Sequence, residues 1–166
     1  RIIIRQGHDR QGLDHQSPHR DQRLPGINGA MGELQAAIGL VQLERLDERI
    51  ERRRKMAGVY RDALLGAPGV DLPPWADQET NGALFPVRLL RRQKTIEALE
   101  NDGIATSIHY KPVHLHQAWA SMTPGRGAFP NSEIAGAWLL SLPLYPGLDE
   151  RSIPMIAGIV RRANAA

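Results

Sequence analysis

The sequence predicts an α/β protein, a small sheet packed with helices and preceded by one long helical stretch. Three observations carry this expectation. From Met31 onward, apolar residues recur at spacings of three and four as far as about Leu65, where Gly66, Pro68 and Gly69 stop the pattern. Leu84, Phe85, Val87 and Leu89 give residues 82–90 the character of a strand that exits into Arg91 and Arg92. Beyond them, short helical and extended runs alternate to the end of the chain, so the C-terminal half reads β-α-β-α-β-α, the order of a small α/β layer.

Each element has its own local reason. Residues 6–25 are polar, punctuated by Gly7, Gly12, Pro18 and Pro25, and read as a long loop of the kind that is usually functional or disordered. His8, His15 and His19 lie in it, but their spacings of seven and four follow no helix pattern, and no metal site is expected. Met31, Leu34, Ile38 and Val41 form one stripe; Leu40, Leu43, Leu46 and Ile50 form a second, so this helix should be covered on more than one side. Small residues at Ala36, Ala37 and Gly39 let another backbone approach, as at a domain link or subunit interface. Asp47 is placed to cap a break between two helices.

Residues 71–81 are a Pro-containing linker. Gln93 to Asn101 is a short helix with Ile96 and Leu99 inward and Gly103 as its terminator. The β-branched run 104–110 is expected as a strand, and 117–130 as irregular. Asn131 should cap a helix from Ser132 to about Leu140, with Glu133 in its positive first turn. Residues 141–145 are a short extended segment, and Asp149 should cap a last helix, Glu150 to about Arg162. Three segments result: 1–30 as a loop region, 31–70 as connector helices and 71–166 as the small α/β domain.

Composition narrows the function classes. The chain has 166 residues, enough for one ordinary core, and no cysteine, which excludes disulfides and thiolate metal sites and is compatible with a reducing, cytoplasmic setting. No apolar run approaches the roughly 20 residues that span a bilayer. The chain opens on Arg1 rather than Met, as expected of a piece of something longer. Net charge is a mild +3. The best basic cluster, Arg52-Arg53-Arg54-Lys55, follows Glu48 and Glu51 at i,i+4 spacing, so a solvated helix face is expected rather than a nucleic-acid surface.

The chemistry gathers at residues 104–116, Ile-Ala-Thr-Ser-Ile-His-Tyr-Lys-Pro-Val-His-Leu-His. An extended run leads into His109, Tyr110 and Lys111, and Pro112, lacking an N–H, ends regular pairing. Groups that donate, accept and carry charge are thus collected where a strand stops. The alternative is a His-rich surface loop. For His114 a structural hydrogen bond to backbone is the favoured reading, and for Glu133 a helix-terminal charge rather than a catalytic acid.

A family resemblance runs nearly end to end and in order. It is carried by Pro25-Gly-Ile-Asn28, Glu33-Leu-Gln-Ala-Ala-Ile-Gly39, Gln42-Leu-Glu-Arg-Leu-Asp47, Arg52-Arg53, Thr106 to Leu115, Phe129-Pro-Asn-Ser-Glu133 and Leu140-Ser-Leu-Pro-Leu-Tyr-Pro-Gly147. In these stretches the chain resembles the C-terminal half of the DegT/DnrJ/EryC1/StrS sugar aminotransferases. The resemblance implies the small domain of a fold-type I transferase that uses pyridoxal 5'-phosphate (PLP), with most of the cofactor domain, its Schiff-base lysine included, upstream of Arg1. It implies a homodimer that moves an amino group from glutamate to a keto nucleotide-sugar. It places Asn28 at the cofactor phosphate of the neighbouring subunit and His109, Tyr110, Lys111 and His114 at the substrate mouth. None of Lys55, Lys94 and Lys111 stands in the family's Schiff-base context, so no catalytic residue is assigned here. The family's Asn-x-Arg becomes Asn28-Gly29-Ala30, which loses a guanidinium, and its His-Gly near the start is inverted to Gly7-His8. The competing expectation is a catalytically inactive remnant that serves as a dimerisation or binding module.

Overall fold

A computed structural model describes residues 29–72 and 80–165. The chain divides into two compact units, Arg1–Leu46 and Asp47–Ala166. In the first, α1 (Glu33–Glu44) begins after Gly32, whose N–H is accepted by the Gln35 side chain at 3.1 Å. None of its residues is buried, and Met31, Leu34, Ile38 and Leu43 are all more than half exposed. Of the two stripes expected to be covered, Met31, Leu34, Ile38, Val41, Leu40, Leu43 and Leu46 are exposed and Ile50 is half-buried. The helical break falls at Arg45; Asp47 lies in the first turn of the next helix.

The second unit is a sheet-and-helix layer. Its elements are α2 (Leu46–Leu64), β1 (Val70–Asp71), β2 (Phe85–Leu89), α3 (Arg92–Asn101), α4 (Pro130–Trp138), β3 (Leu139–Leu142) and α5 (Ile153–Asn164). The three strands form an antiparallel sheet in the order β1-β2-β3, with Val70 opposite Leu89 and Val87 opposite Leu140. In β2, Phe85, Val87 and Leu89 are buried while Pro86 and Arg88 are half-buried, the period-two pattern of a strand with one covered face. Helix α5 buries Ile153, Ile156, Ala157, Ile159 and Val160, the spacing of one apolar face, and packs on α3, whose Leu99 belongs to the same buried core. Met56, Tyr60 and Leu64 close the core from α2, with Tyr60 stacked on Phe85 at 4.9 Å.

Several boundaries differ from the sequence expectation. Residues 104–110 form no strand; Ser107 makes one isolated antiparallel bridge to Ser141. Helix α4 starts at Pro130, which needs no N–H partner in the first turn, so the cap position falls to Phe129 and Asn131 lies inside the helix. The Asp149 side chain accepts from the Arg151 N–H as a cap, but of a single 3-10 turn (Glu150–Ser152) that precedes α5. The basic cluster is used internally: Arg53 and Arg54 donate to the carbonyls of Asn81 and Thr80 at 3.2 and 2.8 Å. Glu51 pairs with Arg54 rather than Lys55, which reaches Glu150 at 3.2 Å. Gly82 allows this approach: its φ is +62°, and a Cβ there would stand 2.9 Å from Cβ of Arg53. Among the described residues no helix is long and apolar enough to cross a membrane.

Candidate functional site

The segment between the Ser107 bridge and α4 carries the chemistry, and side-chain hydrogen bonds position it. Ser107 and Ser141 exchange both backbone bonds, Ser141 N–H to Ser107 O at 2.8 Å and Ser107 N–H to Ser141 O at 3.3 Å. This pins the chain two residues before His109. The half-buried His109 ring then places Nδ1 2.9 Å from Ser141 Oγ, beside a cavity of about 170 Å³ that Ala105, Thr106, Ser107, Leu142 and Pro143 help to line. The Tyr110 ring meets His109 edge-on at 4.7 Å and is 72% exposed. Lys111 is exposed, and its carbonyl accepts from His116 Nε2 at 3.1 Å. The structure therefore brings His109 and Tyr110 into contact, with Lys111 next in line at the surface.

His114 stands apart from that group. It is buried on the 3-10 turn Val113–Leu115, with Nε2 3.2 Å from Glu133 Oε1 and its ring edge-on to Phe129 at 4.9 Å. Its hydrogen bond goes to a carboxylate, not to backbone. Glu133 also accepts the Gly127 N–H at 2.6 Å, and Arg126 Nη1 lies 4.0 Å from its other oxygen. The Gly127 bond, then the His114 contact and the Phe129 backbone, hold the Glu133 carboxyl below its ordinary value of 4.5 against the opposing effect of desolvation. Thr123 Oγ1 donates to the carbonyls of His114 and Trp119, both at 3.1 Å. Residues 113–133 are thus tied into one loop by a polar latch.

Two participants, Ser141 and Glu133, come from the motifs Leu140-Ser-Leu-Pro and Phe129-Pro-Asn-Ser-Glu133, whose sequence marked an extended segment and a helix start but not these partners. Gly136 is a third. A Cβ there would stand 2.5 Å from Pro112 Cδ, so only glycine lets α4 sit against the segment that follows Lys111. Asn28 lies outside the described residues. Among the described residues, no group of three His, Asp or Glu side chains is arranged to hold a metal.

Comparison with known proteins agrees with this architecture. The DegT/DnrJ/EryC1/StrS aminotransferase family model matches residues 1–161. A dTDP-3-amino-3,4,6-trideoxy-alpha-D-glucose transaminase of Streptomyces venezuelae is 37% identical over 138 residues, covering 82% of this chain and 36% of the relative. The spore coat polysaccharide biosynthesis protein SpsC of Bacillus subtilis is 34% identical, covering 82% of this chain and 38% of the relative. The crystal structure of S. venezuelae DesV in complex with a ketimine intermediate superposes with a TM-score of 0.85 at 33% identity, over 99% of this chain and 43% of DesV. A Brucella abortus member superposes at 0.84 with 27% identity, over 99% of this chain and 42% of its own. The chain spans little more than a third of the curated relatives it matches. The expected fold, the small C-terminal domain of a fold-type I transferase, is borne out, and the chain belongs to the DegT/DnrJ/EryC1/StrS aminotransferase family.

Proposed function

We propose that this chain is the C-terminal part of a PLP-dependent sugar aminotransferase that transfers the amino group of glutamate to a keto carbon of a nucleotide-sugar. The complete protein acts in the cytoplasm as a homodimer. The observation that carries the reading is the likeness to DesV, which extends over 99% of the chain to a protein solved with a ketimine intermediate. In this reading residues 1–30 continue from a large domain, 31–70 connect, and 71–166 form the small domain.

The described residues do not by themselves fit PLP. Lys55 is ion-paired with Glu150. Lys94 lines an open groove with Arg91, Arg92 and Trp138 that offers no carboxylate for a pyridine nitrogen. Lys111 lies on an exposed loop. No step through the cofactor is assigned to these residues; what this chain supplies is substrate contact. Asn28, whose amide donates, serves the cofactor phosphate across the dimer. His109 and Tyr110 hydrogen-bond sugar hydroxyls or pack the mouth, His114 holds its loop, and Lys111 meets the diphosphate as a point charge.

The test is the pair of half-reactions in the complete enzyme, followed by single turnover with glutamate and with a keto nucleotide-sugar. Lys111→Ala should raise KM for the nucleotide-sugar about 10- to 150-fold, the equivalent of roughly 1.5–3 kcal/mol for a charge-assisted hydrogen bond. The glutamate half should hardly change, because glutamate carries no diphosphate. An unmodified enzyme that aminates no keto sugar defeats the functional reading. Equal losses in both halves, or none in the sugar half, defeat the role of Lys111.

A further inference from the structure

We propose that Ser141 is a positioning residue: its hydroxyl donates to His109 Nδ1, fixes the imidazole as the Nε2–H tautomer, and so presents an N–H donor to an acceptor oxygen of the sugar. The choice of sugar as ligand rests on the function proposed above; the tautomer does not. The argument is an accounting of protons. Ser141 is only 7% exposed, and Oγ lies 2.9 Å from Nδ1. If Nδ1 carried the proton, it would donate to Oγ, and the hydroxyl proton would then need an acceptor of its own. Among the described residues, His109 Nδ1 is the hydrogen-bond partner of Oγ. A buried hydroxyl proton left unpaired costs free energy, whereas an unfilled oxygen lone pair costs less. With Oγ donating, the hydroxyl proton is paired, and the single proton of the neutral ring falls on Nε2, which has no protein partner among the described residues.

The support behind Ser141 is rigid. It is the centre of β3, opposite Pro86 on one side and bridged to Ser107 on the other. The same backbone bridge that ends two residues before His109 therefore also anchors the hydroxyl that orients its ring. The Tyr110 ring lies on another side, its centroid 4.7 Å from that of the imidazole. Orientation of an imidazole by a hydrogen bond to its far nitrogen is a general device for setting which nitrogen faces a ligand.

Two readouts test this separately. In the chain labelled with ¹⁵N-histidine, with His109 assigned by its disappearance in His109→Asn, ring nitrogen shifts at a pH where the ring is neutral should show the Nε2–H form. Ser141→Ala should give a mixture of tautomers, and Ser141→Thr, which retains the hydroxyl and suits a strand, should restore the single form. A Nδ1–H ring in the unmodified chain, or an unchanged tautomer in Ser141→Ala, overturns the proposal. Backbone amide spectra show whether Ser141→Ala folds; if it does not, the unmodified chain and Ser141→Thr still decide the tautomer. In the complete enzyme, Ser141→Ala should raise KM for the keto sugar about 3- to 10-fold, the loss of one neutral hydrogen bond, with glutamate unaffected and Ser141→Thr near the unmodified value. The expected tautomer with an unchanged sugar KM upholds the positioning by Ser141 and overturns the assignment of the sugar as its ligand.

Discussion

The sheet layer and the segment that carries the candidate site are held together by different forces. In the layer, Phe85, Val87, Leu89, Leu99, Leu140, Ile153 and Val160 are almost completely buried, so apolar burial and close packing fix it. Residues 107–133 are the opposite. Tyr110, Val113, Trp119, Met122 and Phe129 are exposed, and His114 is the buried side chain. What locates this segment is a short set of polar bonds: Ser141 to His109, Glu133 to His114 and Gly127, and Thr123 to two carbonyls. The difference teaches that the site's geometry depends on directional bonds of modest net strength resting on a rigid apolar base. The base should respond to volume, and the site to shape and charge.

The largest effect is expected in the base. Leu99, fully buried on α3 in the core that α5 completes, should cost about 2–5 kcal/mol when replaced by alanine, read from urea denaturation of the chain. The transfer loss and the residual cavity both contribute, since Leu99 lies in the buried core cluster and α3 packs on α5. A loss below about 1 kcal/mol would mean that the core collapses around the gap and that the layer is not the rigid base described.

The seam between the two regions is Gly136. Its substitution by alanine adds a methyl group 2.5 and 2.8 Å from Pro112 Cδ and Cγ. Alanine gains up to about 1 kcal/mol of helix propensity over glycine. The proline ring has no rotamer through which to yield, so relief requires a backbone shift of the segment after Lys111, and overpacking of this kind costs about 1–3 kcal/mol. The net expectation, with the full propensity gain subtracted, is destabilisation by about 0–2 kcal/mol, with the largest amide shift changes near His109 to Val113. A variant more stable than the parent would show that the segment gives way freely, and the distinction between base and site would be sharper still.

How much of this was legible in the sequence follows the same division. The period-two pattern of Phe85, Val87 and Leu89 and the inward Leu99 announced their burial, because apolar periodicity is a local signal. Thr95 did not: it is fully buried because the Asn164 side chain donates to its hydroxyl at 2.7 Å from 69 residues away. The run 104–110 has strand composition but pairs only at Ser107, since composition reports propensity and not whether a neighbouring edge is available. Glu133 was legible as a charge in a helix's first turn; that it closes a latch on His114 and Gly127 depends on a loop path that local sequence does not encode. His109 stood out by position, while its partner Ser141 looked like one more residue of a strand.

The smallest effect, and the one that separates charge from packing, belongs to Glu133. Its carboxyl is held below the ordinary glutamate value, first by the Gly127 N–H and then by the His114 contact, with Arg126 4.0 Å from its second oxygen. A carboxyl whose value in the folded state lies below that in the unfolded chain adds stability that is fully present above the unfolded value, near 4.5. The contribution is lost as pH falls through the lower, folded-state value. Glu133→Gln keeps an oxygen able to accept from Gly127 but removes the charge at every pH. The parent should therefore be more stable than Glu133→Gln at neutral pH, and the difference should shrink as the solution is made acidic, where the protonated carboxyl and the amide carry equal charge. Hydrogen exchange of the Gly127 N–H reads this locally, and urea denaturation at each pH reads it for the whole chain. A difference that stays constant from neutral to acidic pH would show that Glu133 acts through shape alone, and that the latch closing the site loop responds to packing, as the sheet layer does.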